Sequence, residues 1–324
     1  MARILISRDY PSAGLDLLEA AGHQLTRNDS DIPMTQSELI AACQGHDALM
    51  STGTDLIDAH FLITCSHLKI IAQYAVGYDN IDLKAATSQQ TLISNTPDAM
   101  SEATADVAFG LMIAVARRMI HMHKSIARGE WSTFKPKANL GLELKGKTLG
   151  IFGLGRIGIK MAERCQGAYQ MPIIYHNRNR DIGIESRLKA KFVGFEDLLA
   201  HSDVLSVHSP LSAETRGIFD RSAFAKMKSE AIFINTSRGG VHNEEDLIEA
   251  LQGNKIWGAG LDVTSPEPMD PENVLLDMHN ACVLPHIGSA TVEARDEMSR
   301  IAARNIISFF EHGKAPNALN TFSR

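Results

Sequence analysis

The run Leu149-Gly150-Ile151-Phe152-Gly153-Leu154-Gly155-Arg156-Ile157-Gly158 ends an apolar stretch in G-x-G-x-x-G. That spacing suits a pyrophosphate. Gly153 permits a tight turn out of a strand, Gly155 lets the backbone come close to phosphates, and Gly158 lets the next helix pack on the strand. With Leu154 they form a candidate cradle, and the backbone N–H groups of Arg156 and Ile157 are expected to face the pyrophosphate. Six residues alone also fit a structural corner. A strand at 148–152, a helix at 159–167 and a second strand at 172–175 favour dinucleotide binding.

The elements needed to hold this loop repeat through the rest of the chain. Strands are expected at 148–152, 172–175, 204–208, 231–235, 256–261 and 281–284, with helices at 159–166, 194–200, 221–226 and 243–252. Several strands end on polar residues: Asn177, His208, Ser237-Arg238, Asp262 and His286. In open parallel sheets ligands bind beyond the C-terminal strand ends, so these positions converge on one crevice. Residues 1–94 also alternate strand and helix signals but lack such a glycine loop, which makes them a second α/β unit with another task. Asn95-Thr96-Pro97 breaks the pattern and reads as a domain crossing, followed by one long helix over 101–127. The fold class is α/β with two doubly wound parallel-sheet domains. A Rossmann nucleotide-binding domain (99–286) is inserted into a flavodoxin-like substrate domain (1–98 and 287–324). The segment 128–144, with Trp131 and Phe134, is either a connecting arm or part of a homodimer contact.

Composition narrows the function. A net charge of -6 argues against nucleic acid or an anionic membrane as partner, and no apolar run approaches the ~20 residues of a membrane span. Met1-Ala2-Arg3-Ile4-Leu5-Ile6 runs straight into Arg8 and Asp9 and reads as a first strand instead of a signal peptide, so a cytoplasmic location is expected. The 4 cysteines form no C-x-x-C pair and the 13 histidines show no ligand spacing, so no bound metal is expected.

An NAD site usually carries an Asp or Glu about 20 residues past the glycines, bonding the ribose hydroxyls. Here the second strand runs into Asn177-Arg178-Asn179-Arg180. A carboxylate would repel a 2′-phosphate, whereas Asn177, Arg178 and Arg180 offer donors and positive charge. A solvated basic turn is the alternative. NADP (as NADPH) is the preferred cofactor, with NAD possible.

Taken together the motifs resemble the D-isomer-specific 2-hydroxyacid dehydrogenases, in particular their glyoxylate/hydroxypyruvate reductase branch. The resemblance spans nearly the whole chain. It rests on Val76-Gly77-Tyr78-Asp79-Asn80-Ile81-Asp82, Ala103-Thr104-Ala105-Asp106, the glycine loop and Val207-His208-Ser209-Pro210-Leu211. It continues in Asn235-Thr236-Ser237-Arg238-Gly239-Gly240, Leu261-Asp262-Val263, Pro266-Glu267-Pro268 and Pro285-His286-Ile287-Gly288-Ser289. The resemblance implies a catalytic set of Arg238, Glu267 and His286. Arginine suits the carboxylate and carbonyl of a 2-oxo acid, histidine suits proton delivery, and a neighbouring carboxylate orients the ring and favours its charged form. It also implies substrate binding by the Val76 and Gly77 backbone with Arg238 and His286. Asp262 is expected on the nicotinamide carboxamide with Thr104 lining that end, and Thr236 and Ser237 beside the cofactor. His208 and Pro210 pack against it, although a core role for His208 competes.

The activity implied is reduction of a small 2-oxo acid to its D-2-hydroxy acid. The small residues Ser51-Thr52-Gly53-Thr54 leave room for hydroxypyruvate or a 2-keto sugar acid as well as glyoxylate. The expected partners are that small-molecule acid and a second copy of the chain. Some relatives on this fold act as corepressors, so a dinucleotide-sensing interaction protein is the alternative, as is an NAD-preferring dehydrogenase.

Overall fold

The computed structural model describes residues 1–30 and 32–322. Two compact units emerge: Met1–Met100 with the described part of the segment from Ala290, and Ser101–Ser289. No helix among the described residues is long and apolar enough to cross a membrane.

In the first unit β1 (Arg3–Ile6), β2 (Gln24–Arg27), β3 (Ala48–Ser51), β4 (Ile70–Gln73) and β5 (Leu92–Ser94) form a parallel sheet in the order β2-β1-β3-β4-β5. The helices are α1 (Ser12–Ala20), α2 (Gln36–Cys43), α3 (Ala59–Thr64), α4 (Leu83–Ser88) and, far along the chain, α12 (Val292–His312). Strands β3, β4 and β5 are buried along their whole length, as expected for a sheet covered on both faces. Gly14 of α1 is a close-packing point, since a Cβ there would lie 2.1 Å from the Ser299 carbonyl oxygen of α12. The C-terminal tail closes the sheet edge. Asn320 Oδ1 accepts from the Ile93 N–H at 2.8 Å, and Leu319 donates to the Ile93 carbonyl at 2.8 Å. Strand β2 and helix α3 carry little signal in the sequence. Gln24–Arg27 is an edge strand with no fully buried residue, and α3 is only six residues long.

The second unit opens with α5 (Ser101–Ala116) and α6 (Met119–Ala127). A seven-stranded parallel sheet follows, built from β6 (Leu149–Phe152), β7 (Ile173–His176), β8 (Lys191–Phe192), β9 (Val204–Val207), β10 (Ile232–Asn235), β11 (Gly258–Leu261) and β12 (Ala281–Val283). Its order is β12-β11-β10-β9-β6-β7-β8, so the winding reverses between β6 and β9. Helices α7 (Arg156–Tyr169), α8 (Ile182–Leu188), α9 (Phe195–His201), α10 (Arg221–Lys226) and α11 (Glu244–Gln252) connect the strands.

The single long helix expected over 101–127 is two helices. Arg118 takes the left-handed conformation (φ 52°) and its guanidinium lies 4.4 Å from the centre of the Trp257 ring. The last carbonyls of α5 are taken by distant donors: Trp257 Nε1 to Val115 at 3.2 Å and the Leu142 N–H to Ala116 at 2.9 Å. No Gly or Pro marks the break, because the helix ends on tertiary partners instead of a local stop signal.

Candidate active site

The three glycines of the loop divide the work as their spacing implies. Gly153 has φ +97°, and a Cβ there would sit 2.7 Å from the Ser209 nitrogen. The β6 and β9 strand ends therefore touch at the point where the winding reverses. A Cβ on Gly158 would meet the Gly153 carbonyl oxygen at 2.7 Å, which fixes helix on strand. Gly155 has nothing within 4 Å of its Cβ position, so its open face is the side on which a phosphate can approach. Ile159 makes the first backbone bond of α7, to the Gly155 carbonyl at 2.9 Å, and the leading N–H groups at Arg156 and Ile157 point out of the helix end. The cradle fits a dinucleotide pyrophosphate.

Other sequence-predicted residues are engaged inside the protein. The Leu154 N–H donates to Asn177 Oδ1 at 2.6 Å, and the Leu154 side chain is buried. Leu154 therefore braces the loop and presents neither group to a ligand. Asn177, expected to meet a 2′-phosphate, spends its amide on that brace, with Nδ2 3.4 Å from the Leu154 carbonyl. Arg180 turns back onto Glu185 through two bonds of 2.6 and 2.7 Å. Arg178 is exposed, and its charge helps the Ser212 hydroxyl and the backbone hold the Glu214 carboxyl below its usual range. Burial lowers the His208 imidazole to about 4, and Ser206 and Thr236 hydroxyls lie 2.9 and 3.4 Å from its two nitrogens. Pro210 is exposed just beyond, its carbonyl accepting from Thr215 Oγ1 at 2.7 Å.

Arg238 leaves the sheet at the end of β10 on a turn built by Asn235. Asn235 Oδ1 accepts from the Ser237 N–H (2.9 Å) and hydroxyl (2.8 Å), while Nδ2 donates to the Arg238 carbonyl at 2.9 Å. Buried His242 completes the turn, with Nδ1 3.0 Å from Asn235 Nδ2. An amide nitrogen only donates, so Nδ1 accepts and the ring is neutral; burial lowers its pKa to about 4. A Cβ on Gly239 would lie 1.8 Å from the Thr264 carbonyl oxygen, so the Arg238 turn packs directly on the segment leading to Glu267. In the sequence Asn235 and Gly239 stand out only as motif residues, and His242 not at all. The polar strand end at Asn235 was the available signal.

Glu267 stands between two cis prolyl bonds, Ser265-Pro266 and Glu267-Pro268. Its Oε1 accepts from the Thr264 N–H at 3.0 Å and its Oε2 meets His286 Nδ1 at 2.9 Å. Burial pushes the Glu267 carboxyl up, but the His286 bond, the Thr264 N–H and the charges of His286 and Arg238 outweigh it and hold the group below its usual value. An ionised carboxylate only accepts, so Nδ1 carries a proton and Nε2 is the nitrogen presented outward. His286 has φ 53°, a conformation stabilised from the next two residues. The Ile287 and Gly288 N–H groups both donate to the buried Asp262 carboxylate, at 2.8 and 2.7 Å, and Thr104 Oγ1 donates to the Gly288 carbonyl at 3.0 Å. Asp262 and Thr104, expected at the nicotinamide end, hold the His286 turn in place. Burial raises the Asp262 carboxyl above its usual range despite those two bonds.

Val76 and Gly77 follow β4 in the first unit. Their carbonyls are held by side-chain amides, Val76 by Asn95 Nδ2 at 2.8 Å and Gly77 by Gln73 Nε2 at 3.4 Å.

Comparisons with known proteins bear on the family and the fold. Residues 109–288 match the family described as "D-isomer specific 2-hydroxyacid dehydrogenase, NAD binding domain". A glyoxylate reductase from Thermococcus litoralis is 42% identical over 322 residues, covering 98% of this chain and 96% of that protein. The crystal structure of a glyoxylate reductase from Paecilomyes thermophila superposes with a TM-score of 0.88 at 35% identity, covering 98% of both chains. An NADPH-dependent glyoxylate/hydroxypyruvate reductase from Sinorhizobium meliloti, in complex with NADP and malonate, has a TM-score of 0.85 at 29% identity, covering 98% of this chain and 96% of that one.

Proposed function

Since the chain belongs to the D-isomer-specific 2-hydroxyacid dehydrogenases, oxidoreductases acting on CH–OH, we propose that it reduces glyoxylate, hydroxypyruvate or a 2-keto sugar acid with NADPH preferred. The observation that carries the reading is the His286–Glu267 contact of 2.9 Å at a turn held by Asp262, in the unit that also holds the open glycine cradle. When bound, the reduced nicotinamide supplies the hydride. The protein's own part is positional and electrostatic. Arg238 holds the substrate carboxylate and polarises the carbonyl with its planar fork. His286 Nε2 delivers the proton to the developing alkoxide, and Glu267 fixes the ring and balances its charge. The Val76 and Gly77 N–H groups serve as further carboxylate donors.

The preference for NADPH rests on the missing carboxylate at Asn177 and the cation at Arg178. It is supported by likeness to the Sinorhizobium meliloti reductase described as NADPH-dependent. We also propose a homodimer. Helix α6 buries none of its residues, and Trp131 and Phe134 beyond it are 73% and 84% exposed, an apolar surface that a second copy would cover.

The test is a panel of 2-oxo acids mixed with each reduced cofactor and followed at the reduced-nicotinamide absorbance band. Oxidation with several acids, faster with NADPH, is the expected result. Tight NADPH binding without turnover on any acid would overturn the enzymatic reading in favour of dinucleotide sensing.

A further inference from the structure

The turn after β7 offers two arginines to an adenosine 2′-phosphate, but their surroundings differ. Arg180 is gripped by Glu185, Nε to Oε1 at 2.6 Å and Nη2 to Oε2 at 2.7 Å, the paired geometry that makes an arginine–carboxylate contact strong. Glu185 is anchored in turn. The hydroxyl of Tyr175, a fully buried residue of β7, donates to Oε1 at 2.8 Å and accepts the Asp181 N–H at 3.1 Å. Asp181 caps α8 by accepting from the Ile184 N–H at 3.0 Å. The Glu185 side chain is 12% exposed against 60% for Arg180, so the carboxylate is fixed and only the guanidinium is able to leave.

Building on the proposed NADPH preference, we propose that Glu185 is a specificity-determining residue that withholds the Arg180 guanidinium from a 2′-phosphate and leaves Arg178 as the cation that meets it. Arg180 reaches a phosphate only by giving up two charge-assisted bonds, and the net charge it brings to the turn is cancelled. The strength of discrimination between the two cofactors is thus set by a carboxylate one helix turn away from the phosphate-facing residues. Glu185 acts through Arg180 and is a positioning residue.

The experiment measures binding by calorimetry on the full chain, using adenosine 2′,5′-bisphosphate and adenosine 5′-monophosphate. The two ligands differ only in the 2′-phosphate, and the readout is the ratio of their affinities. Glu185→Gln is expected to raise that ratio about tenfold by releasing Arg180. Arg180→Met is expected to change it less than about threefold, since a guanidinium held on Glu185 makes no bond to the 2′-phosphate. The double variant should return to the Arg180→Met ratio. A merely structural effect of these substitutions would weaken both ligands together and leave the ratio in place. An unchanged ratio in Glu185→Gln, or loss of the preference in Arg180→Met alone, would overturn the proposal. Equal affinity of the unsubstituted protein for both ligands would count against the NADPH preference. A preference that then appears in Glu185→Gln would still support the withholding role.

Discussion

His286 unites three constraints in one residue: a left-handed backbone, a carboxylate on Nδ1, and an outward Nε2. In the proposed proton transfer only the last takes part, and the others aim it. Replacing His286 by glutamine takes away the proposed proton donor and leaves the glycine cradle untouched. His286→Gln should therefore lower reduction by ~10²–10⁴-fold. Cofactor affinity, read by fluorescence titration, should stay within a small factor, and near-normal turnover would remove His286 from the chemistry. Asn177 permits a second test at this scale. Its Oδ1 accepts the Leu154 N–H at 2.6 Å, a bond a carboxylate makes equally well. Asn177→Asp should keep the glycine loop in place while adding a charge that repels a 2′-phosphate. The NADPH to NADH ratio of kcat/KM is expected to fall by at least roughly tenfold; a constant ratio would show that Asn177 does not face that phosphate.

Among the elements, the turn after β10 and the segment after β11 work as one piece. Gly239 lies against the Thr264 backbone, where a Cβ would be 1.8 Å from the carbonyl oxygen. Gly239→Ala must push apart the turn carrying Arg238 and the segment carrying Glu267. Both kcat/KM and the melting temperature should fall, and an alanine variant with ordinary turnover would show that this packing is dispensable. The same turn contains a pH-dependent brace. His242 titrates near 4 in the folded chain against 6.5 unfolded, so between those values the unfolded chain binds the extra proton. Stability then rises with pH through the window and is lost as pH falls through it, by roughly 2 kcal/mol at pH 5 for such a shift. His208, also lowered to about 4, adds in the same direction. Urea unfolding at pH 7 and pH 5 should show this loss, and His242→Gln should show a smaller one. Equal pH dependence in both proteins would dismiss the brace.

At the level of the whole molecule, the apolar side chains of α6 and the arm beyond it set the expected assembly. Met119, Ile120, Ile126, Trp131, Phe134 and Leu140 are all more than two-fifths exposed. An exposed apolar surface of that kind is what the proposed contact with a second copy would cover. Sedimentation should report a dimer, and Trp131→Ser with Phe134→Ser should shift it toward monomer. A monomer in the unsubstituted protein would leave the apolar arm without the proposed partner.

Much of this protein is legible in its residues alone. Apolar runs alternating with helical spacing, the G-x-G-x-x-G and the polar strand ends are local patterns, so the two parallel sheets and the cradle follow from short-range rules. Arg238, Glu267 and His286 are candidates by their motifs, although the first and the last stand 48 positions apart. The tertiary structure decided what each polar side chain is engaged with. Asp262 faces the Ile287 and Gly288 N–H groups, Thr104 bonds Gly288, Asn177 braces Leu154, and Arg180 is held by Glu185. The break at Arg118 has the same origin, since Trp257 and Leu142 end the helix from far along the chain. A residue's type sets which bonds it is able to make. Which of them it makes depends on the donors and acceptors that folding brings within about 3 Å, and in a buried site nearly every such group must find one.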